Sequence, residues 1–405
     1  MKTGGHSAAR FRSGGLEMGI TQPFAVMAKP VGSRCNMRCR YCYYLEKGQF
    51  SSHEKQSRMS FTILEKLIRQ YIEASPGPVV SFTWHGGEPT LAGMDFYKKA
   101  LELEHRYLPS GWQAWNNLQT NGILLNDAWC RFLKENHFDV GLSIDGSEAV
   151  HDANRRDRGG NPTYEKVFRA AERLKHAGIL PDLLCTVNSA TLKDPIGVYE
   201  SLRRLGTGWI QFIPIVVRMD DGSMAPESVT PDGYGEFLCK VFDQWVQNDL
   251  GKLDVQLFAE TARVMAGGEA SVCYMAPVCG RVLIVEEDGA VYSCDHFVDS
   301  DHRIGNIQQG NLGTMVDSEQ QTQFGSQKLN ALTEQCKSCP WLRFCRGGCL
   351  KDRFAFSRDG EAGQSYLCKG LEMFFEHASE PLSRMIAMSR EGKNAQEIMA
   401  SFQST

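Results

Sequence analysis

Ser33-Arg34-Cys35-Asn36-Met37-Arg38-Cys39-Arg40-Tyr41-Cys42-Tyr43-Tyr44 follows directly on the apolar run Phe24 to Val31 and spaces three cysteines as C-x3-C-x2-C. A four-iron cubane normally takes four cysteines. A compact group that supplies only Cys35, Cys39 and Cys42 leaves one iron with an open position where a small molecule can coordinate. A zinc knuckle is the competing reading, but zinc pairs usually come as C-x2-C with a partner pair, and this spacing fits that poorly.

Downstream of the triplet, short β-rich runs alternate with amphipathic stretches of helical length. The pattern predicts strands at Phe24 to Val31, Val79 to Trp84, Asn117 to Gln119, Val140 to Ile144, Asp182 to Val187 and Trp209 to Ile215. Helices are expected at Phe61 to Ala74, Met94 to Tyr107, Asp127 to Asn136, Tyr164 to His176, Pro195 to Leu205 and Pro231 to Asn248. Ser60 is placed to cap the first, Gly178 to end the fourth, and Asp194 before Pro195 to start the fifth. Six βα units make an α/β fold with a parallel sheet and outer helices, whose ligand sites lie at the C-terminal ends of the strands. The cysteine triplet follows the first such end.

Those ends carry polar groups. His85-Gly86-Gly87-Glu88-Pro89-Thr90 follows the second strand, and its two glycines let the backbone approach a ligand beside the Glu88 carboxylate. Gln119-Thr120-Asn121-Gly122 and Ser143-Ile144-Asp145-Gly146 close the third and fourth. His151-Asp152-Ala153-Asn154-Arg155-Arg156 reads as a loop whose cations suit a ligand carboxylate or simply face solvent.

The chain has 405 residues, 42% apolar and 23% charged, with a net charge of −4. Its length allows two to three domains, and its charge argues against a general nucleic-acid binder. No run of about eighteen apolar residues supports a membrane span. Residues 1–22, rich in Gly, Ser, Arg and Lys, lack the apolar core of a signal peptide and read as a loose tail. Fourteen cysteines without a secretion signal point to a reducing, cytoplasmic setting where thiols bind metal or stay free.

Eight of those cysteines fall in the C-terminal third: Cys273, Cys279 and Cys294, then Cys336-x2-Cys339-x5-Cys345-x3-Cys349, then Cys368. Eight ligands suffice for two fully ligated four-iron clusters, or for two structural zinc sites. Cys130, Cys185 and Cys239 lie inside helical or strand segments and are expected to pack. His296, His302 and the aromatics near Phe374 are read the same way, as packing or surface residues.

The triplet with an aromatic before its last cysteine, followed by Gly86-Gly87-Glu88-Pro89, resembles the radical S-adenosylmethionine superfamily. The resemblance implies an open (β/α)6 partial TIM barrel whose cluster's open iron is chelated by S-adenosyl-L-methionine. It implies cofactor contacts at Tyr41, Gly86, Gly87, Glu88, Ser143, Arg155 and Val216. The eight later cysteines resemble the C-terminal SPASM auxiliary iron–sulfur domain, which brings the total to three [4Fe–4S] clusters. That precedent places Cys273, Cys279, Cys294 and Cys349 on one auxiliary cluster and Cys336, Cys339, Cys345 and Cys368 on the other. The implied division is a tail at 1–22, a core at 23–250, a SPASM domain at 251–380 and a C-terminal helical segment at 381–405.

Within that group, Cys35 to Lys47, the His-Gly-Gly-Glu-Pro-Thr loop, Leu142-Ser143-Ile144-Asp145-Gly146 and Tyr292-Ser293-Cys294-Asp295-His296-Phe297 look like anaerobic sulfatase-maturating enzymes. The likeness runs from about Phe24 to the C-terminal region. It implies oxidation of a cysteine or serine in a sulfatase segment of the Cys/Ser-x-Pro/Ala-x-Arg type to Cα-formylglycine, with Asp295 as the base. An external electron donor and acceptor such as flavodoxin or ferredoxin would serve the clusters. Two other readings stand beside it: a SPASM enzyme that forms thioether or carbon–carbon crosslinks in a peptide, and a non-catalytic metal-bound scaffold.

Overall fold

The computed structural model describes residues 22–50 and 58–403, so the tail expected at 1–22 lies almost wholly outside the described residues. Strands β1 (Ala25–Ala28), β2 (Val79–Trp84), β3 (Gln113–Thr120), β4 (Asp139–Ser143), β5 (Asp182–Val187), β6 (Trp209–Pro214) and β7 (Asp254–Val255) lie side by side in chain order, all parallel. Helices α1 (Phe61–Ala74), α2 (Met94–Tyr107), α3 (Asp127–Glu135), α4 (Glu148–Asn154), α5 (Tyr164–His176), α6 (Pro195–Arg204), α7 (Pro231–Asn248) and α8 (Gln256–Met265) connect or follow them. The architecture is the open partial TIM barrel that the alternation predicts.

Local chemistry fixes the helix starts. Ser60 accepts a hydrogen bond from the backbone N–H of Ile63, and Asp194 from that of Gly197 ahead of Pro195, so both satisfy donors that the first turn leaves unpaired. Helix α1 then turns Ile63, Leu64, Leu67, Ile68, Tyr71 and Ile72 onto the sheet, each fully or almost fully buried. Burying such a side chain contributes about 1.5–3 kcal/mol. A second apolar cluster joins β5, β6 and α7 to the long helix Cys368–Arg390.

The sheet continues past what the alternation predicts. β8 (Val282–Val285) pairs in parallel with the free side of β1, and β9 (Ala290–Tyr292) and β10 (Arg303–Asn306) add antiparallel strands, giving ten strands in all. Residues after 250 thus build part of the barrel sheet. The division at 380/381 falls inside the helix Cys368–Arg390, and Ala395–Gln403 forms a last helix. Cys294 follows the end of β9, so this extension brings a C-terminal cysteine beside the β1 end. Among the described residues no helix is long and apolar enough to cross a membrane.

Candidate active site

The cysteine loop leaves β1 and is tied down on two sides. Gly87 donates its N–H to the Gly32 carbonyl at 2.9 Å and Glu88 to that of Arg34 at 2.9 Å, while Arg38 and Arg40 donate to the carbonyls of Arg156 and Asn154 near the end of α4. Cys35, Cys39 and Cys42 end up close together and partly exposed. Burial pushes the Cys35 thiol up to about 11 and Cys39 up to about 12, with the charge on Cys42 adding to both. Left alone, those two thiols stay protonated at neutral pH, and metal coordination is what would deprotonate them. The donor set therefore fits a cation-rich group that accepts three thiolates.

Gly86 and Gly87 stand where a ligand-facing loop needs them, but Glu88 does not present its carboxylate to a ligand as expected. Glu88 is fully buried. Its Oε1 accepts from Thr90 N at 3.0 Å, Thr90 Oγ1 at 2.5 Å and Thr120 Oγ1 at 2.7 Å, and its Oε2 accepts from Asn121 N at 2.8 Å. These bonds knit the ends of β2 and β3 together and aim Asn121, whose Nδ2 lies 3.6 Å from Cys35 Sγ. A buried carboxylate needs such donors to stay stable, so the side chain is structural.

The segment expected as a cationic loop is a helix end. Residues up to Asn154 belong to α4, and Arg155 is 7% exposed, with Nε 2.9 Å from Asp145 Oδ2 and Nη2 3.1 Å from Oδ1. Asp145 is fully buried and also accepts from the Tyr41 hydroxyl and from Thr186 N and Oγ1. The Arg155 guanidinium lies over the Tyr41 ring, 5.6 Å from its centroid. Arg155 thus secures the cysteine loop through Tyr41 while placing its charge near Cys39. Ser143, at the end of β4, accepts from Gln119 Nε2 at 3.2 Å, and Val216, just beyond β6, is partly buried against the apolar core.

Asp295 is reached from both sides of the sheet extension. Its side chain is 17% exposed, Oδ1 lies 2.5 Å from Lys29 Nζ, and Oδ2 accepts from the Tyr43 hydroxyl. Burial alone would raise this carboxyl, yet the Lys29 ammonium beside it holds it well below the usual carboxylate range. His85 Nδ1 faces two donors, Gly86 N at 2.7 Å and Lys29 Nζ at 3.1 Å, so it accepts and the ring proton sits on Nε2. Burial, reinforced by Lys29, lowers His85 to about 3 and keeps it neutral. His296, read as a packing or surface residue, packs against the Tyr43 ring in a tilted arrangement with centroids 5.1 Å apart. Sequence reasoning passed over Lys29; its signal is a lone charge inside the otherwise apolar run from Phe24 to Val31.

The other cysteines gather in two quartets. Burial raises the thiols of Cys273, Cys279, Cys294 and Cys349, and charge on Cys273 adds to the other three. Cys336, Cys339, Cys345 and Cys368 line one cavity with an empty volume of about 330 Å³, where Gln364 Nε2 donates to Cys368 Sγ at 2.8 Å. Cys130 and Cys185 are buried and Cys239 partly so, as packing residues are.

Residues 30–197 match the model of the radical SAM superfamily, and residues 273–340 that of an iron–sulfur cluster-binding domain. A serine-type anaerobic sulfatase-maturating enzyme of Bacteroides thetaiotaomicron is 41% identical over 375 residues, covering 89% of this chain and 90% of that one. A cysteine-type enzyme of Clostridium perfringens is 33% identical over 359 residues, covering 88% and 96%. The solved structure of native anSMEcpe with bound AdoMet and Cp18Cys peptide superposes with a TM-score of 0.82 at 32% identity, covering 90% of this chain and 99% of that one. With its cysteine loop, partial barrel and cluster-binding extension arranged as described, this chain belongs to the anaerobic sulfatase-maturating enzymes, which carry [4Fe–4S] clusters and S-adenosylmethionine.

Proposed function

We propose that this chain oxidises a cysteine or serine side chain of a sulfatase polypeptide to Cα-formylglycine, and that Asp295 is the base. The observation that carries this reading is the partly exposed Asp295 carboxylate, ion-paired with Lys29, accepting from Tyr43 just after Cys42, and linked through Lys29 and His85 to Gly86 beside the cysteine loop. Cys35, Cys39 and Cys42 would hold the cluster that binds S-adenosylmethionine, with Gly86, Gly87, Tyr41, Ser143, Arg155 and Val216 around the cofactor. When bound, these groups supply the 5′-deoxyadenosyl radical that removes one hydrogen from the substrate Cβ.

The chain's own residues do the rest. Asp295 accepts the substrate thiol or hydroxyl proton, and Lys29 holds the carboxylate ready to take it. The substrate surrenders one further electron, which would pass to the quartet containing Cys294, the neighbour of Asp295 in the chain. The serine case then ends as the aldehyde, and the cysteine case as a thioaldehyde that water converts to the aldehyde with release of hydrogen sulfide. The core would begin near 23 and the cluster-bearing domain near 251, the latter lending strands to the barrel sheet and running through the helix Cys368–Arg390 rather than stopping at 380. The substrate segment would be of the Cys/Ser-x-Pro/Ala-x-Arg type, the setting cytoplasmic, and the donor and acceptor a flavodoxin or ferredoxin.

The test incubates the reduced, iron-reconstituted protein and S-adenosylmethionine with peptides containing Cys-x-Pro-x-Arg or Ser-x-Ala-x-Arg. Formylglycine is read as the mass loss of two hydrogens from serine, or of the thiol-to-aldehyde change from cysteine. Abundant 5′-deoxyadenosine with both peptides unchanged redirects the reading to a peptide-crosslinking enzyme.

A further inference from the structure

Arg353 sits on the backbone that joins Cys345 of one quartet to Cys349 of the other, and Lys328 lies against the quartet that contains Cys273. Arg353 donates from Nε to the Gly347 carbonyl at 2.9 Å, from Nη1 to that of Lys328 at 2.8 Å, and from Nη2 to that of Arg346 at 2.8 Å. Three carbonyls thus fix the guanidinium plane. The site is built around it: a Cβ on Gly347, which has φ +74°, would fall 2.5 Å from Arg353 Nη2. Lys328 is fully buried, and its Nζ donates to the Cys273 carbonyl at 2.7 Å.

Among the described residues no carboxylate lies within ion-pair distance of either cation. The neighbours that would become anionic on binding metal are the cysteines. Arg353 is anchored on Arg346 and Gly347, between Cys345 of one quartet and Cys349 of the other, and its field reaches Cys336, Cys345, Cys279 and Cys349, whereas Lys328 is anchored on Cys273 and its field falls mainly on Cys273, Cys279 and Cys349. A buried cation without a carboxylate is costly unless another anion balances it. Arginine cannot shed its proton to escape that cost.

We propose that Arg353 is a fixed counter-charge shared by both auxiliary clusters, with Lys328 a second one confined to the Cys273-containing cluster, and that together they raise the clusters' reduction potentials. The inference rests on the reading of the quartets as [4Fe–4S] ligands. Reducing a cluster adds one electron and one negative charge, which a nearby fixed cation favours. The electron released by the substrate would then find an acceptor made more oxidising by two cations, in electrostatic contact with the second auxiliary cluster, which shares one of them. Arg353 and Lys328 are positioning residues in this scheme, since neither touches substrate.

The experiment uses the full-length reconstituted protein and its R353M, R353K and K328M variants, with iron and sulfide per chain and the midpoint potential of each cluster followed by electron paramagnetic resonance. In R353M both auxiliary potentials move to more negative values, in K328M only that of the Cys273-containing cluster moves, R353K stays near the parent, and the amino-terminal cluster is unchanged throughout. Iron-replete R353M with unmoved potentials, or R353K shifted as far as R353M, overturns the proposal. If R353M does not retain auxiliary iron, iron-replete K328M decides by the same criterion. Failure of the parent itself to bind more than one cluster would count against the ligand reading instead.

Discussion

The Lys29 ammonium lies 2.5 Å from Asp295 Oδ1 and 3.1 Å from His85 Nδ1, so a single buried cation at the end of β1 joins the two residues that face each other across the sheet junction. Lys29 itself is fully buried and also lies over the Tyr44 ring, 4.3 Å from its centroid. Among the described residues its ion pair is with Asp295, and the geometry of Asp295 depends on it.

Asp295→Asn keeps the shape but cannot take a proton. Formylglycine formation should fall by about 10²-fold or more, the usual contribution of a positioned general base, while iron content is unchanged. Full activity in this variant would remove Asp295 from its role.

Lys29→Met acts on the same carboxylate indirectly. Losing a hydrogen bond between charged groups costs about 1.5–3 kcal/mol, roughly ten- to a hundredfold in rate. The fall should appear in kcat more than in KM for the peptide, because Lys29 aims the base and does not bind substrate. A loss confined to KM would assign Lys29 to peptide binding instead.

Gly87 supports the cysteine loop by contact. A Cβ there would sit 2.0 Å from the Arg34 carbonyl oxygen, which backbone cannot yield cheaply. Gly87→Ala should push the loop away and cost the amino-terminal cluster, about four of roughly twelve irons per reconstituted chain. Retention of all the iron would show that the loop shifts without disturbing the triplet.

How much of this was legible in the sequence follows from how local each signal is. Helices α1, α2, α5 and α7 and strands β2 and β5 have the predicted ends because capping residues and periodicity are written within the segment. α4 was missed because seven residues carry no clear period, and β8 to β10 because three or four residues flanked by loops give no alternation to count. The cysteines were legible by spacing. Lys29, His85 and Tyr43 around Asp295 were not, since they meet only when β8 pairs with β1, more than 250 residues apart in the chain. Glu88 and Arg155 were legible as site residues, but their partners inside the protein were not: Thr90, Thr120 and Asn121 donate to the one and Asp145 pairs with the other, contacts made between separate strand ends.

Arg155 and Asp145 form a buried ion pair, and breaking one side leaves an uncompensated charge. Arg155→Met should destabilise the apo protein by about 3–5 kcal/mol in thermal or urea unfolding, before any cofactor is added. Ser143→Ala, at the same rim but with one neutral hydrogen bond, should cost about 1 kcal/mol. If Arg155→Met unfolds like the parent and only S-adenosylmethionine binding is lost, the arginine serves the ligand and not the fold.

Glu104 ties the pH dependence of stability to a single buried group. It is 3% exposed on α2; its Oε2 accepts from Asn116 Nδ2 at 2.9 Å, and among the described residues Oε1 has no partner. Burial, only partly offset by Asn116, raises its carboxyl from 4.5 to about 7. The folded state therefore binds the proton more tightly than the unfolded chain, and stability falls as pH rises from the unfolded value through the folded one. The whole cost, about 3 kcal/mol at 1.36 kcal/mol for each pKa unit, is in force above neutrality. Glu104→Gln imitates the protonated form and should match the parent in urea unfolding near about pH 5 but exceed it by a few kcal/mol near about pH 8. Other titrating groups are common to both proteins and cancel in the difference. Parent and variant curves that run parallel across this range would mean that Glu104 finds, in solution, a partner for Oε1 that keeps it ionised when folded.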